Sequence, residues 1–210
     1  MTFLRASEPS MGEPVVPMGE ASDEQLMLML RDGLDAALSE LVQRYQNDVF
    51  RFCLHYIRHV EVAKELAQET FLRVYAARAR FDMARLFKPW LLCIARNLSL
   101  NELKRSKIAP MDSLEDMVAF AVSGHPSPMT DTRAIPSEEL MVRERRAALM
   151  RVLDCLPMEA RELVTMRFFE HMPAREIAVV VDSTEGAVRT RLHRILKELR
   201  GKCALMKEDL

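Results

Sequence analysis

The sequence predicts an all-α protein with two small helical domains joined by an extended linker. Three observations support this fold class. The 210 residues include only 6 glycines and 3 tyrosines but 15 methionines, a composition that favours helices over sheets. Apolar residues recur at spacings of three and four in several segments. A proline-punctuated acidic stretch, 108–136, separates two groups of such segments.

Composition limits the class of protein. The chain is 49% hydrophobic and 29% charged, which is ordinary for a folded, water-soluble protein of one or two domains. Its net charge of -1 conceals local segregation of charge. The four cysteines are far apart and include no C-x-x-C pair, so we expect a reducing compartment and no structural metal. Cys53, His55 and His59 could supply metal ligands, but the sequence places no fourth ligand beside them.

No targeting or membrane segment is evident. The first 22 residues have no apolar stretch of the kind found in secretory signals, and no apolar run reaches 18 residues. The sequence therefore predicts a cytoplasmic protein without membrane insertion.

The predicted first domain covers residues 22–107, after a predicted disordered tail at 1–21 that is rich in proline and glycine. Ser22 and Gln25 form a capping-box pattern that starts the first helix. Three further helices are expected, at about 35–58, at about 61–77, and from Pro89 to about Arg105.

The fourth helix of this domain has one face suited to nucleic acid. Its members recur at spacings of three and four: Trp90, Cys93, Asn97, Asn101 and Lys104. One large aromatic ring, two amides and terminal basic charge, extended by Arg105, suit unstacked bases and their phosphates. The alternative is that Trp90, the only tryptophan, anchors the core.

The third helix carries a different surface. Glu65, Gln68 and Glu69 lie beside Leu72 and form a small acidic and amide patch with an apolar edge. Such a patch can bind a partner, although solvated helix faces often have the same composition.

The predicted second domain spans 137–203, after the linker 108–136 and before a short tail at 204–210. A helix-turn-helix is expected within 174–202, with the turn at Asp182 and Ser183 or Thr184 as the N-cap of the second helix. The buried stripe of that helix comprises Val188, Leu192, Ile195 and Leu199.

The outer face of this second helix is basic and suits the major groove of DNA. Its predicted contact residues are Thr184, Glu185, Arg189, Thr190, His193, Arg194 and Lys197. A merely solvated basic face is the alternative, and residues 178–181 could instead form a buried strand.

The order of these motifs resembles a bacterial RNA polymerase sigma factor of the extracytoplasmic-function (ECF) group. Residues 63–107 are similar to region two of that family and residues 156–200 to its region four. The resemblance implies a non-enzymatic, cofactor-free subunit that binds core RNA polymerase and directs it to promoter DNA. Family members are commonly held by an anti-sigma factor, so such a partner is expected here too.

The resemblance also implies residue roles. Glu65, Gln68, Glu69 and Leu72 stand where the family contacts the polymerase. The loop from Phe81 to Phe87 corresponds to one that captures a flipped minus-ten base. The neighbouring minus-ten residues are Trp90, Asn97, Asn101, Lys104 and Arg105. The second domain would contact the minus-thirty-five element, and the acidic linker resembles a segment that lies in the polymerase cleft.

Four departures from the family pattern stand out. Lys64 replaces an acid, Pro89 replaces a small helix former, His171 and its neighbours replace a glycine-containing turn, and Glu185 places negative charge early in the contact helix. An autonomous helix-turn-helix regulator that binds a duplex operator is the alternative function. No catalytic motif supports an enzyme.

Overall fold

A computed structural model describes residues 18–105 and 156–208, with side chains described as far as residue 200. The first domain consists of α1 (Asp23–Arg31), α2 (Ala36–Ile57), α3 (Val60–Ala77), a 3₁₀ turn (Arg78–Arg80) and α4 (Phe87–Arg105). The second domain consists of α5 (Met158–Val164), a π-helical turn (Thr165–Phe169), α6 (Ala174–Val180) and α7 (Glu185–Glu208). The described residues form helices and turns without strands, which confirms the all-α prediction. The predicted linker, the start of the predicted second domain and the outer parts of both tails lie outside the described residues.

The start of the first domain is fixed by the predicted capping box. The Ser22 hydroxyl accepts a hydrogen bond from the Gln25 amide at 3.2 Å, and the Gln25 side chain accepts one from the Ser22 amide at 2.8 Å. Ordered chain begins before this cap, because Arg44 donates to the carbonyls of Met18 and Ala21 at 3.1 and 2.8 Å. Residues 18–21, which the sequence assigned to the predicted tail, therefore lie against α2.

Two helix boundaries have clear local causes. α2 ends at Ile57 because Arg58 adopts a left-handed conformation with φ of 55°. α4 begins at Phe87, two residues before the predicted start at Pro89. The Phe87 amide donates to the Glu24 carboxylate at 3.0 Å, which satisfies one of the free amides at this helix end. Pro89 lies in the first turn, where its missing N–H removes no helical hydrogen bond.

The core of the first domain lies between α2, α3 and α4. Phe52, Leu41, Phe87 and Leu91 are each fully buried within it. Burial of each such side chain contributes on the order of 1.5–3 kcal/mol. α4 therefore has a heavily packed inner face, which holds its outer face in a fixed position.

The second domain contains the predicted helix-turn-helix. α6 and α7 meet at a turn in which Asp182 has φ of 52°, a left-handed conformation that aspartate tolerates. Residues 178–180 lie at the end of α6 and Val181 is its C-cap, so the strand alternative is wrong. Pro173 is the N-cap of α6. α6 also packs along α4, which brings the two domains into contact.

Candidate nucleic-acid interfaces

The amide side chains of α4 lie on its outer face. Asn97, Asn101 and Lys104 are exposed and follow one another along the helix. Arg105 is exposed beside them and is ion-paired with Glu102 at 2.6 Å. These side chains are thus available to hydrogen-bond base edges and neutralise phosphates.

Trp90 is half-buried, and its ring packs on two phenylalanines. Its centroid lies 4.8 Å from that of Phe81 and 6.1 Å from that of Phe87. These phenylalanines are only 5% and 0% exposed, so in this conformation neither presents its ring to a base, and the minus-ten role predicted for them stays a prediction. They support the indole instead. The spacing of Phe87 and the inward Leu91, one helical turn apart, was the sequence signal that could have predicted its burial.

A groove lies beside the end of α4, between α3 and α4. It has a volume of about 370 Å³ and is lined by Leu66, Leu98, Asn101 and Arg105, among others. Glu69 and Arg73 of α3 also line it, and they form an ion pair at 2.7 Å. The sequence did not single out Arg73, although its i, i+4 spacing from Glu69 is the usual sign of such a pair.

The acidic and amide patch of α3 lies on the surface as predicted. Glu65 and Gln68 are exposed, Glu69 is half-exposed, and Leu72 is 63% exposed. A large apolar side chain this exposed beside acids is a suitable anchor for a partner. Lys64, the departure from the family pattern, is ion-paired with Glu61 at 2.8 Å, so its charge is partly compensated locally.

The contact face of α7 points away from the domain core. Val188, Leu192 and Ile195 are buried, and Leu199 packs against the same cluster. The predicted contact residues on the other face are exposed: Thr184, Arg189, Thr190, His193, Arg194 and Lys197. Glu185 is half-exposed.

Thr184, rather than Ser183, caps α7. Its hydroxyl accepts a hydrogen bond from the Ala187 amide at 3.2 Å, which resolves the two alternatives left by the sequence. Glu185 is ion-paired with Arg189 at 2.5 Å, across one turn of the helix. The Thr190 hydroxyl donates to the Gly186 carbonyl at 2.9 Å. Glu185 therefore holds the Arg189 guanidinium at the start of the contact face.

The three residues considered as metal ligands do not assemble. Cys53 is fully buried, and burial raises the pKa of its thiol to about 11. His59 caps α3 by accepting from the Val62 amide at 3.5 Å, and the His55 ring packs at a tilt against Phe169, with the ring centroids 5.9 Å apart. Within 18–105 and 156–200 no group of three or more acidic, cysteine or histidine side chains is placed to hold a metal ion. The helices in these segments also include none that is long and apolar enough to cross a bilayer.

The two domains thus expose two helices of contrasting chemistry. Each domain also matches the model of a known protein family. The Sigma-70 region 2 model matches residues 41–108, and the Sigma-70 region 4 model matches residues 146–199. Together these matches cover more than half of the chain. The chain belongs to the sigma-70 family of RNA polymerase sigma factors, in the ECF group. Members of this family are transcription initiation factors and not catalytic enzymes.

Relatives named as sigma factors agree with this assignment. The chain is 25% identical over 176 residues to the ECF sigma factor SigW of Bacillus subtilis, covering 81% of this chain and 91% of the relative. It is 28% identical over 184 residues to the ECF sigma-E factor of Escherichia coli, covering 87% and 95%. It is also 31% identical over 171 residues to the probable sigma factor RfaY of Xanthomonas campestris, covering 81% of this chain but only 41% of that protein.

Solved structures share the fold. CnrH, in complex with the cytosolic domain of CnrY, matches with a TM-score of 0.62 at 20% identity and covers 90% of this chain and 99% of that one. RpoE of Bartonella quintana, in complex with the anti-sigma factor NepR, matches with a TM-score of 0.54 at 15% identity and covers 78% and 94%.

Proposed function

We propose that this chain binds core RNA polymerase, directs it to a specific set of promoters and helps to open the minus-ten region. Within that function, each domain acts on a different state of the DNA. α7 contacts the minus-thirty-five duplex, and α4 holds bases of the minus-ten strand after they leave the stack. The observation that carries this division is the contrast between an aromatic and amide face on α4 and a basic face on α7.

The minus-ten role rests on the geometry around Trp90. Flipping a base out of the duplex costs a few kcal/mol, which a receiving surface must offset. A half-buried indole held by Phe81 and Phe87 offers a fixed stacking surface, worth roughly 1–3 kcal/mol per base. Asn97 and Asn101, exposed farther along the same helix, add hydrogen-bonding groups for base edges.

The polymerase-binding role rests on the α3 patch. Glu65, Gln68 and Leu72 project from a helix whose opposite face is packed in the core, so the patch is presented rigidly. It lies on the same domain as the minus-ten face but on a different helix. One domain can therefore hold polymerase and unpaired DNA together.

Regulation and location follow from the same family membership. We propose that an anti-sigma factor binds this chain, since CnrH and RpoE were solved with partners and NepR is named as an anti-sigma factor. We also propose that the chain works in the cytoplasm, where core polymerase acts, and has no catalytic activity or cofactor of its own.

Transcription start sites mapped after overexpression would supply the promoter elements for a direct test. Purified chain is then incubated with that promoter, with and without core polymerase, and unpaired thymines are detected with permanganate. We expect opening near minus ten only when core is present. Tight, sequence-specific duplex binding without any association with core would instead support the autonomous regulator.

The α3 patch is tested by Glu65→Lys combined with Gln68→Ala. This variant places positive charge in an acidic contact, so we expect association with core to weaken at least tenfold, about 1.4 kcal/mol. Glu20→Lys is the matched control, because Glu20 is an exposed acid of the same domain outside the patch. Undiminished co-purification with core would reject the patch.

A further inference from the structure

Two adjacent acids in the first turn of α1 hold the start of α4, the predicted minus-ten helix. Glu24 accepts a hydrogen bond from the Phe87 amide at 3.0 Å, although the two residues lie 63 positions apart in sequence. Asp23 accepts one from the Tyr45 hydroxyl, and the Tyr45 ring packs edge-on against the Phe87 ring, with the centroids 5.5 Å apart. The backbone and the side chain of Phe87 are therefore both fixed by contacts that begin at α1.

The residue that precedes α4 cannot cap it. Most helices are capped by a side-chain oxygen from the residue just before the first turn, but Leu86 has an apolar side chain. Pro89, in the first turn, has no amide hydrogen to offer. The acceptor for the Phe87 amide comes instead from Glu24, whose negative charge also lies at the positive end of the α4 dipole. The position at which α4 begins thus depends on α1.

α1 is itself firmly placed on the domain. Leu26 and Leu30 of this helix are fully buried, and the Arg44 guanidinium donates to the Asp23 carboxylate at 3.0 Å. Burial and the hydrogen bond to Asp23 raise the pKa of Tyr45, so its hydroxyl stays protonated and continues to donate. The two acids are therefore held in fixed positions, from which they can fix Phe87 in turn.

The position of Phe87 matters for the predicted minus-ten surface because its ring supports Trp90, with the centroids 6.1 Å apart. The Phe87 ring also lies 6.2 Å from that of Phe81, at the other end of the predicted minus-ten loop. Both distances are in the range of favourable aromatic pairs. The loop thus starts and ends on two buried rings that pack together. A displacement of Phe87 would move the indole and one end of the loop together.

We propose that Glu24 is a positioning residue for the minus-ten surface. Its hydrogen bond to the Phe87 amide sets where α4 begins and so holds the Trp90 indole in place for stacking. This inference rests on the proposed function, because the stacked base belongs to the promoter. Glu24 acts through Phe87 and does not touch DNA. The length of the side chain at position 24, which lets it reach that amide, therefore matters more than its charge.

Substitutions at position 24 separate reach from charge. Glu24→Gln keeps the length and an oxygen acceptor, Glu24→Asp keeps the charge but is one methylene shorter, and Glu24→Ala keeps neither. Minus-ten opening is measured with permanganate on the chain bound to core polymerase. We expect Glu24→Gln to stay within about twofold of wild type, and Glu24→Asp and Glu24→Ala to fall about fivefold, the typical factor for loss of a helix cap.

A role limited to α1 predicts the opposite order. If Glu24 only supplied negative charge to the first turn of α1, Glu24→Asp would retain opening and Glu24→Gln would lose it. That order would overturn the proposal, and so would full opening by Glu24→Ala.

Trp90 reports its own position, because it is the only tryptophan of the chain. Its emission spectrum and its quenching by acrylamide are measured on the free full-length chain, without polymerase or promoter. We expect Glu24→Asp and Glu24→Ala to shift the emission to longer wavelength and to increase quenching, while Glu24→Gln matches wild type. Unchanged fluorescence in a variant that loses opening would overturn the route through Phe87.

Ile57→Val controls for a general loss of stability. Ile57 is buried in α2, about three helical turns beyond Tyr45. Its truncation should lower thermal stability about as much as loss of the Glu24 contact does, yet leave opening unchanged. An equal loss of opening in Ile57→Val would show that Glu24 acts only through the stability of the domain, and would overturn the proposal.

Two further measurements complete the test. Glu20→Ala, which removes an exposed acid three residues before α1, should behave as wild type. Association with core and binding to minus-thirty-five duplex should be retained by every variant, and an equal fall in core association for Glu24→Ala would overturn the positioning role. Failure of wild type to open any mapped promoter with core would overturn the proposed function, while Trp90 fluorescence would still show whether Glu24 positions the indole.

Discussion

The outer faces of α4 and α7 differ in how they are built. The α4 face has one indole packed on Phe81 and Phe87, followed by two amides, and its cations come only at the end. The α7 face, from Thr184 to Arg200, contains no phenylalanine, tyrosine or tryptophan and carries cations along its length. Unpaired bases present flat surfaces, whereas duplex DNA presents phosphates and the edges of paired bases. The difference in side chains matches the difference in DNA state that we propose for the two faces.

The two faces also differ in their support. α4 is held by the main core of the first domain, in which Phe87 and Leu91 are fully buried. α7 relies on a short stripe that includes Val188 and Ile195, on its Thr184 cap and on an ion pair between Glu185 and Arg189. Stacking needs a surface fixed by packing, whereas long cationic side chains adjust to the groove. This comparison predicts that substitutions on the two faces have separable effects.

The largest effect is expected for Trp90→Ala. It removes the stacking surface, worth roughly 1–3 kcal/mol per base. It also leaves a gap beside Phe81 and Phe87, which adds a folding cost of up to about 3 kcal/mol for a half-buried tryptophan. Permanganate reactivity at minus ten should fall, while binding to minus-thirty-five duplex in the presence of core should persist.

Trp90→Tyr is the matched control, because it keeps an aromatic ring at the same position and should retain most of the opening activity. Thermal unfolding of each variant separates the folding cost from the loss of stacking. Equal losses of minus-ten opening and minus-thirty-five binding would break the comparison, since they would show that Trp90 acts only through the fold.

A smaller and more local effect is expected for Arg189→Ala. If Arg189 leaves Glu185 to contact guanine through two hydrogen bonds, its loss costs about 1–3 kcal/mol at one minus-thirty-five position. Binding to a panel of single-base variants of the element measures this. Arg191→Ala is the control, because Arg191 is also exposed and lies about 200° farther round the helix. A uniform loss on all sequences would assign Arg189 to a phosphate instead.

Much of the fold could be predicted because local signals and burial agree. The capping box at Ser22, the stripe from Val188 to Leu199 and the turn at Asp182 each follow from short-range patterns that the structure retains. The exposure of Asn97 and Asn101 follows from the same helical periodicity. Periodicity cannot predict which residues come into contact when they are distant in sequence. The start of α4 at Phe87 depends on Glu24, which is distant in sequence.

The burial of Glu162 and Glu170 could not be predicted from the sequence for the same reason. Glutamate is almost never fully buried without a partner, and the two partners, Arg96 and Lys88, lie in the other domain. Phe81 illustrates a different limit. It lies in a loop without periodicity, so only the packed structure shows that it supports Trp90.

The smallest effect is expected for Thr184→Ala, which removes the N-cap of α7. Loss of such a cap costs about 1 kcal/mol, which is roughly a fivefold change in an equilibrium constant. Because the first turn holds Glu185 and positions Arg189, minus-thirty-five affinity should fall by about that factor, while binding to a heteroduplex already unpaired at minus ten should not change. Ser183→Ala is the control, since its hydroxyl does not cap the helix. An equal loss in both assays would mean that the second domain supports the first, and the independence of the two faces would have to be abandoned.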